Sequence, residues 1–483
     1  MIHRSAITHV LGQFLLAFAG AMLLPLTYGL LSGAPDAMTM AWALCTTASA
    51  GAVLFIFSPR PERELSQREG LLLVVAVWAC VSFFGSLPFL FSPNFETFTD
   101  AVFESTSGFT TTGATVLGDI EALTPTLQLW RCFSHWLGGM GIVLLGIAIL
   151  PLVGHGGMHL YRAEFSGATS EKLKPRIAET ARSLGKIYFS LTLVLYFVLR
   201  LAGMDAYEAM CHTFSTLGTG GFSTRESSIA GFASPVVEYL IILFMLLVGI
   251  SFAQQYRLWI QRRPGRFLAD VEIRSYVLLV VVSTLVIAVL LVLHHGYAIE
   301  SAFRSSLFQV STIITTTGFV TDDFEVWHPL AQLMLLALMF VGGCTGSTAG
   351  GLKVARILLL SKVVDREFKR MVEPRGVFSV RLGGAVIPEG TIQSLLNLIY
   401  LAFVVNFASC LFLAAMGVDV LTSIAAVAAS MFNIGPGLGG VGPLDNYAHL
   451  PALAKWVLSG CMIAGRLEFY TVLVILTPAF WRK

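Results

Sequence analysis

The chain has 483 residues, of which 55% are hydrophobic and only 12% are charged, and its formal net charge is +2. A soluble globular domain has about 25% charged residues, so this composition excludes a water-soluble protein and predicts a chain surrounded by lipid. The seven cysteines lack the spacing of a metal site or a disulfide framework, which indicates small core side chains.

Apolar stretches long enough to cross a bilayer, which takes about 20 helical residues, recur along the whole chain. They are 8–31, 38–57, 70–91, 126–152, 186–204, 235–256, 275–295, 328–370 with an interruption, 391–416 and 449–477. The first stretch exceeds the roughly 7–15 apolar residues of a signal peptide, and a second follows at once, so we interpret both as retained helices. The predicted fold class is therefore an all-α polytopic membrane protein.

Lysine and arginine are distributed unevenly between the two predicted membrane faces. Most of the 31 such residues lie in the N-terminus, 58–69, 160–186, 257–274, 353–381 and the last two positions. Cytoplasmic loops carry the excess of positive charge in membrane proteins, so both termini are predicted to be cytoplasmic.

Four shorter apolar segments lie between spans, and each continues into a stretch rich in Gly with Thr or Asn. The segments are 97–109, 206–217, 299–314 and 419–432. Segments too short to cross, followed by irregular backbone, are typical of re-entrant helices that line a water-filled path. The unit recurs about every 100 residues, which predicts four repeats. The predicted divisions are 1–69 for two leading helices and a basic loop, then repeats at 70–155, 156–270, 271–385 and 386–483.

Backbone carbonyls can replace the water around a cation, and Gly permits the unusual backbone that aims several of them at one point. A helix that ends at such a loop also directs the negative end of its dipole toward the ion. Four loops around an axis would form a cation pore without an acidic side chain. The alternative is that each stretch is an ordinary loop cap or helix-packing site, but four copies in matching positions favour the pore.

The predicted span 328–370 is interrupted by small residues, including five glycines between 342 and 351. The interruption follows the third Thr/Gly stretch, so we expect a loop beneath it that acts as a gate; a passive kink is the alternative. The predicted gate residues are Cys344, Thr345, Gly346, Ser347, Thr348, Ala349, Gly350 and Gly351.

Arg466 lies within the last span, where a charged side chain usually faces a cavity or a partner. We predict that it lies in the ion path; the alternative is a structural ion pair, for which Glu468 is the nearest candidate in sequence.

No catalytic constellation is apparent, and Gly435 to Gly440 matches a dinucleotide motif without its preceding strand. An intramembrane enzyme is therefore disfavoured.

Together these motifs resemble the Trk/Ktr/HKT superfamily of potassium transporters, and most of all the pore subunits of bacterial Trk systems. The resemblance covers essentially the whole chain. It includes the motifs at 107–115, 175–181, 220–224, 343–353, 433–439, 465–468 and 477–482. Ala349 departs from the pattern, since the family has glycine in that part of the loop.

The resemblance implies a pseudo-fourfold pore within one chain, a homodimer in a bacterial inner membrane, and a TrkA-like cytosolic nucleotide-binding ring that controls opening. Potassium is the implied substrate, with no cofactor in this chain, a nucleotide on the partner, and no nucleic acid. The implied potassium-binding filter consists of loop 1 (Thr111, Thr112, Gly113), loop 2 (Thr219, Gly220, Gly221), loop 3 (Thr316, Thr317, Gly318) and loop 4 (Asn433, Ile434, Gly435).

In this superfamily, glycine at the key position of all four loops accompanies potassium preference, whereas serine in the first loop accompanies sodium. The key residue of loop 4 is Gly435 or Gly437, and the family pattern favours Gly435. The pattern also implies that Arg466 lies in the pore and the 344–351 loop below the filter. A proton- or sodium-coupled symporter is the remaining alternative, although such a mechanism usually needs a buried carboxylate and the predicted spans contain few.

Overall fold

In the computed structural model, residues 3–60, 65–149 and 176–482 are described, and regular structure is almost entirely α-helical. The helices of the first half are α1 Arg4–Ser32, α2 Ala37–Phe57, α3 Gln67–Leu90, α4 Phe98–Phe109, α5 Pro125–Ile149, α6 Arg176–Leu201, α7 Ala206–Gly218, α8 Pro235–Val248, α9 Phe252–Trp259 and α10 Pro264–Leu268. The second half contains α11 Val271–His295, α12 Ile299–Ile314, α13 Pro329–Val341, α14 Val354–Val372, α15 Glu389–Ala415, α16 Val420–Met431, α17 Ala452–Arg466, α18 Phe469–Leu476 and α19 Pro478–Trp481. Strands β1 Arg381–Leu382 and β2 Ala385–Val386 form an antiparallel hairpin in which Arg381 pairs with Val386 and Leu382 with Ala385.

The described chain contains the long apolar helices that the sequence predicts. Helices α1, α2, α3, α6, α11 and α15 are long and apolar enough to cross a membrane, and two bent helix pairs meet the same test together. Leu278, Val289 and Phe403 are among the apolar side chains that these helices expose. Exposed apolar surface on this scale fits a lipid environment, so the chain is a multi-pass membrane protein.

The leading helices α1 and α2 pack closely through small residues. A Cβ atom added to Gly12 would lie 2.6 Å from the backbone nitrogen of Phe55, and one added to Gly51 would lie 3.0 Å from that of Leu16. Small residues let helix backbones approach each other in membranes, where dispersion contacts stabilise association.

Two predicted spans, 235–256 and 449–477, are each divided between two helices that meet at a sharp bend. The chain turns by 101° between α8 and α9 and by 118° between α17 and α18. At the first break the carbonyl of Gly249 accepts from Cys344 N–H at 2.9 Å instead of continuing the helix. At the second, Glu468 has φ +60° and its carboxylate pairs with Arg356 at 2.5 Å. Both breaks depend on contacts with distant segments.

The interruption predicted within 328–370 is confirmed, because α13 ends at Val341 and α14 begins at Val354. Residues 160–175 of the predicted basic stretch 160–186, and residue 175 of the 175–181 motif, lie outside the described residues.

Both ends of the described chain lie on one face of the helical assembly. The backbone N–H of His3 donates to Glu69 Oε1 at 2.7 Å, and Arg68 Nη1 donates to the Arg482 carbonyl at 2.8 Å. The start of α3 therefore lies beside both ends of the described chain.

The four short helices α4, α7, α12 and α16 are arranged in a closed cycle. Each short helix packs against a helix that comes just after the previous short helix in the cycle. Thus α7 contacts α5, α12 contacts α8, α16 contacts α13, and α4 contacts α17. The last pair joins the end of the chain to its beginning. The loops that follow the short helices are thereby brought together at the centre.

Candidate functional site

The four short helices end with the same pattern of backbone hydrogen bonds. The N–H of the middle residue of each filter loop bonds the carbonyl five residues earlier, at 2.8–2.9 Å, and the N–H of the first residue bonds the carbonyl three residues earlier, at 3.0–3.3 Å. The middle residues are Thr112, Gly220, Thr317 and Ile434. This is the pattern of a Schellman cap, whose first residue outside the helix adopts a left-handed conformation. The repeated loops thus have one backbone geometry despite their different side chains.

Positive φ angles occur at matching positions of the four loops. The first residues Thr111, Thr219, Thr316 and Asn433 have φ 55°, 56°, 53° and 57°, and the last residues Gly113, Gly221, Gly318 and Gly435 have φ 82°, 82°, 81° and 97°. A left-handed conformation is unfavourable for a β-branched residue such as Thr, and such strain concentrates at functional sites. Three strained threonines at equivalent positions therefore indicate a function for this backbone.

The final glycines bring each loop into contact with the next. A Cβ atom on Gly113 would overlap the carbonyl oxygen of Gly220, one on Gly221 that of Thr317, and one on Gly318 that of Ile434. A Cβ on Gly435 would lie 2.7 Å from the carbonyl oxygen of Thr112, which returns the series to loop 1. The four loops form a closed ring in which carbonyl oxygens lie against the glycines, and no side chain larger than hydrogen fits there.

The two glycines left open in loop 4 occupy different environments. Gly435 takes the fourth place in the ring, whereas Gly437 packs against Ala425 and donates its N–H to the Val441 carbonyl at 2.7 Å. Gly435 is therefore the geometric counterpart of Gly113, Gly221 and Gly318.

A cavity opens on one side of the ring. Its volume is about 170 Å³, and the four ring glycines contribute to its wall together with Arg225, Glu226 and Asp445. The first turn of α7 lies on this side as well, because Glu208 pairs with the cavity-lining Arg225 at 2.9 Å, and the cavity forms a mouth that leads to the ring.

The 344–351 loop lies on the opposite side of the ring, against three of the filter loops. Gly350 N–H donates to Thr316 Oγ1 at 2.6 Å, and Thr219 Oγ1 donates to the Thr348 carbonyl at 3.0 Å. The Cα of Gly350 lies so close to the carbonyl of Phe432, next to loop 4, that a Cβ would overlap it. The first residues of loops 2 and 3 therefore use their side chains to hold this loop beneath the ring.

Glu272 at the start of α11 fixes the other end of the 344–351 loop. Its Oε1 atom accepts from the Thr345 N–H at 2.7 Å, from Thr345 Oγ1 at 3.1 Å and from the Ala355 N–H at 3.1 Å. Cys344 is fully buried, and Ser347 Oγ bonds its carbonyl at 2.6 Å. The loop is thus an ordered structure with several bonds that would have to break before it could move.

Arg466 is buried beside the 344–351 loop, with 3% of its surface exposed. Nη1 donates to the Thr348 carbonyl at 2.8 Å, and Nη2 lies 3.5 Å from the Gly138 carbonyl. The alternative of an ion pair with Glu468 is contradicted, because Glu468 pairs with Arg356. Among the described residues Arg466 contacts backbone oxygens and has no carboxylate partner, so its positive charge is left beside the loop.

Several residues that hold the ring and the 344–351 loop were not recognised in the sequence. They include Glu272, Tyr447, whose hydroxyl donates to the Gly435 carbonyl at 2.7 Å, and the buried pair Glu104 and Arg131. For Glu104 and Arg131 the available signal was a charge within an apolar segment, because such residues are costly in a membrane and usually functional. The described residues contain no group of three or more His, Cys, Asp or Glu side chains that could hold a metal ion.

Comparison with known proteins gives a consistent result over the whole chain. Residues 37–483 match the TrkH family, which is described as cation transport protein. The chain is 41% identical to the Trk system potassium uptake protein TrkH of Salmonella typhimurium over 490 residues, and 41% identical to that of Escherichia coli over 492 residues, with 100% of each chain covered. Its structure is similar to the crystal structure of the potassium transporter TrkH from Vibrio parahaemolyticus, with a TM-score of 0.92, 37% identity, and coverage of 99% of this chain and 100% of that chain.

Proposed function

Because the chain belongs to the TrkH family of cation transport proteins, we propose that it is the potassium-translocating subunit of a Trk-type uptake system. It is a multi-pass membrane transporter and not an enzyme. The observation that carries the proposal is the closed ring of filter loops, in which one backbone geometry occurs four times around a common centre.

In the proposed mechanism, potassium enters the cavity, loses water and is held by carbonyl oxygens of the four loops. The protein oxygens replace the hydration shell, so dehydration is offset where the ring matches the ion. Helices α4, α7, α12 and α16 end at the loops, and the negative ends of their dipoles stabilise a cation there. Neighbouring loops touch at the ring glycines, and this contact resists contraction around a smaller ion such as sodium.

The 344–351 loop acts in this proposal as a gate below the filter. Its bonds to Thr219, Thr316 and Arg466 stabilise a closed position, and glycines within it allow a second conformation. Arg466 adds positive charge beside the loop, which disfavours a cation resting there and promotes its exit.

The remaining features follow from the family and the charge distribution. We propose that the chain forms a homodimer in a bacterial inner membrane with both termini in the cytoplasm. A TrkA-like cytosolic ring, which carries the nucleotide, would then contact the basic cytoplasmic face and shift the gate equilibrium. The 353–381 segment contributes much of the positive charge on that face.

Ion flux into liposomes tests the proposal. With the purified protein, a nucleotide-loaded TrkA-like partner and an inward gradient of the tested ion, potassium and rubidium should enter at a saturable rate and sodium much more slowly. Absence of potassium flux with the partner present would overturn the proposal. Measurement at fixed voltage with the proton gradient collapsed distinguishes the two transport mechanisms, because a proton-coupled symporter would lose uphill accumulation and a channel-like subunit would not.

A further inference from the structure

A fully buried ion pair lies behind filter loops 1 and 2. Glu104, on α4, has 0% of its side chain exposed, and Arg131, on α5, has 1%; Arg131 Nε lies 2.5 Å from Glu104 Oε1. Removing two charges from water is costly, and such a pair is often no more stabilising than well-packed apolar residues. The role of the pair therefore follows from its hydrogen bonds to neighbouring groups and not from its own stability.

Glu104 holds the segment that follows loop 1. Its Oε1 atom accepts from Thr115 Oγ1 at 2.9 Å, and its Oε2 atom accepts from the Val116 N–H at 3.0 Å. These positions follow the ring glycine Gly113 by two and three residues. The carboxylate thereby fixes the direction in which the chain leaves the ring.

Arg131 holds the corresponding segment after loop 2. Its Nη1 atom donates to the Ser223 carbonyl at 3.2 Å, and its guanidinium carbon lies 3.6 Å from the centre of the Phe222 ring. Gln128, one helical turn earlier, donates to the same Ser223 carbonyl at 2.5 Å. Only arginine combines a planar fork of donors with stacking on an aromatic face, so lysine could not make all these contacts.

We propose that Glu104 and Arg131 are positioning residues that set the spacing between loops 1 and 2 and thereby the ion preference of the ring. The inference rests on the proposed potassium function and concerns the contact between Gly113 and the Gly220 carbonyl. The pair joins the outgoing segments of both loops through one rigid set of bonds. Loss of that set lets the two loops separate or contract, and the ring then accommodates ions of other sizes.

The other repeats use neutral groups where repeat 1 uses a charge. The residues nine positions before the ring glycines are Glu104, His212, Gln309 and Ala426. His212 Nε2 lies 2.9 Å from Ser223 Oγ, and Gln309 Nε2 donates to the Asp322 carbonyl at 3.1 Å. In loop 4, the Tyr447 hydroxyl donates to the Gly435 carbonyl instead. Among these four equivalent positions, the one in repeat 1 is thus the one whose side chain forms an ion pair.

Another ion pair in the chain provides a matched control. Glu238 on α8 and Arg304 on α12 lie 2.7 Å apart, with side chains 8% and 17% exposed. This pair also joins a short helix to its neighbour, but its bonds go to carboxylates rather than to a segment that leaves the ring. Glu238→Gln therefore removes a comparable charge without releasing a filter loop.

The test compares Arg131→Lys, Glu104→Gln and Glu238→Gln by potassium and sodium flux in liposomes, normalised to folded protein. Arg131→Lys keeps the charge but loses contacts whose free energy is at least that of about one hydrogen bond. The potassium-over-sodium flux ratio should therefore fall about fivefold. Glu104→Gln should lower the ratio at least as much, whereas Glu238→Gln should leave it unchanged. A ratio preserved in folded Arg131→Lys and Glu104→Gln would overturn the inference, as would an equal loss in Glu238→Gln.

Two further variants keep the test decisive if the single changes prevent folding. Thr115→Val removes the hydroxyl that donates to Glu104 and leaves both charges paired. The double variant Glu104→Gln with Arg131→Met leaves no buried charge behind loops 1 and 2. Both should lower the ratio in folded protein, and an unchanged ratio in both would contradict the inference. A preserved ratio with normal flux leaves the proposed potassium function intact, whereas absence of flux in the unsubstituted protein would refute that function instead.

Discussion

Thr316→Val should raise the flux that occurs without the cytosolic partner. Thr316 Oγ1 accepts the hydrogen bond of the Gly350 N–H at 2.6 Å, and both residues are buried. Valine has nearly the same shape but no acceptor, so the Gly350 N–H is left without its bond while the 344–351 loop stays beneath the filter. A buried donor without a partner costs about 1–3 kcal/mol, and a shift of that size changes an equilibrium about 5- to 150-fold.

The bonds from Thr219 and Arg466 to Thr348 remain in this variant, so the loop is loosened rather than released. We therefore expect an increase near the lower end of that range, about fivefold to tenfold. The assay is rubidium efflux from liposomes that contain purified protein and no partner, measured against the unsubstituted chain.

Two controls accompany this variant. Thr316→Ser keeps the hydroxyl and should retain low basal flux. Thr284→Val changes another buried threonine, whose hydroxyl has no hydrogen-bond partner in the described structure, and should change little. Unchanged or reduced efflux in folded Thr316→Val would refute the role of this bond in holding the gate closed.

The remaining predictions concern the ring, the buried arginine and the leading helices. Gly113→Ser places a Cβ against the Gly220 carbonyl, at a residue with φ +82°, and should lower the potassium-over-sodium flux ratio. Gly141→Ser, at a helical position with open space around it, should leave the ratio unchanged. Equal ratios in both variants would count against the ring. Arg466→Gln removes the charge and the bond to Thr348, so rubidium efflux without the partner should rise by about fivefold. In Arg466→Lys the efflux should rise less. A fall in efflux in both variants would contradict the gate assignment. Gly12→Leu overpacks the contact with α2 and should destabilise the protein by about 1–3 kcal/mol, seen as a lower Tm in detergent, while Gly20→Leu, with open space around it, should leave Tm nearly unchanged.

The sequence was sufficient to predict features that depend on local chemistry. Apolar length predicts membrane helices, and the four short helices occur within a residue of their predicted bounds. The four central loops could be located because an uncommon backbone requires Gly at its last position, and that requirement appears four times. The break after Val341 could be predicted for the same reason, since its glycine run disfavours a continuous helix.

Features that depend on distant partners could not be predicted in this way. The bend after Val248 exists because Gly249 accepts a bond from Cys344, almost a hundred residues away in sequence. Glu468 lies two residues from Arg466 but pairs with Arg356, because the end of α17 directs the two side chains to different neighbours. Similarly, Glu104 and Arg131 can be recognised as charges in apolar segments, but their pairing becomes evident only once α4 and α5 are packed together.

Anomalous diffraction from crystals of the protein grown in rubidium tests the central claim most directly. The ring geometry predicts anomalous density at the centre of the four loops, within coordination distance of carbonyl oxygens from Thr112, Gly220, Thr317 and Ile434, and loss of that density when sodium replaces rubidium. Density confined to sites outside the ring would contradict the claim that these four loops hold a dehydrated potassium ion.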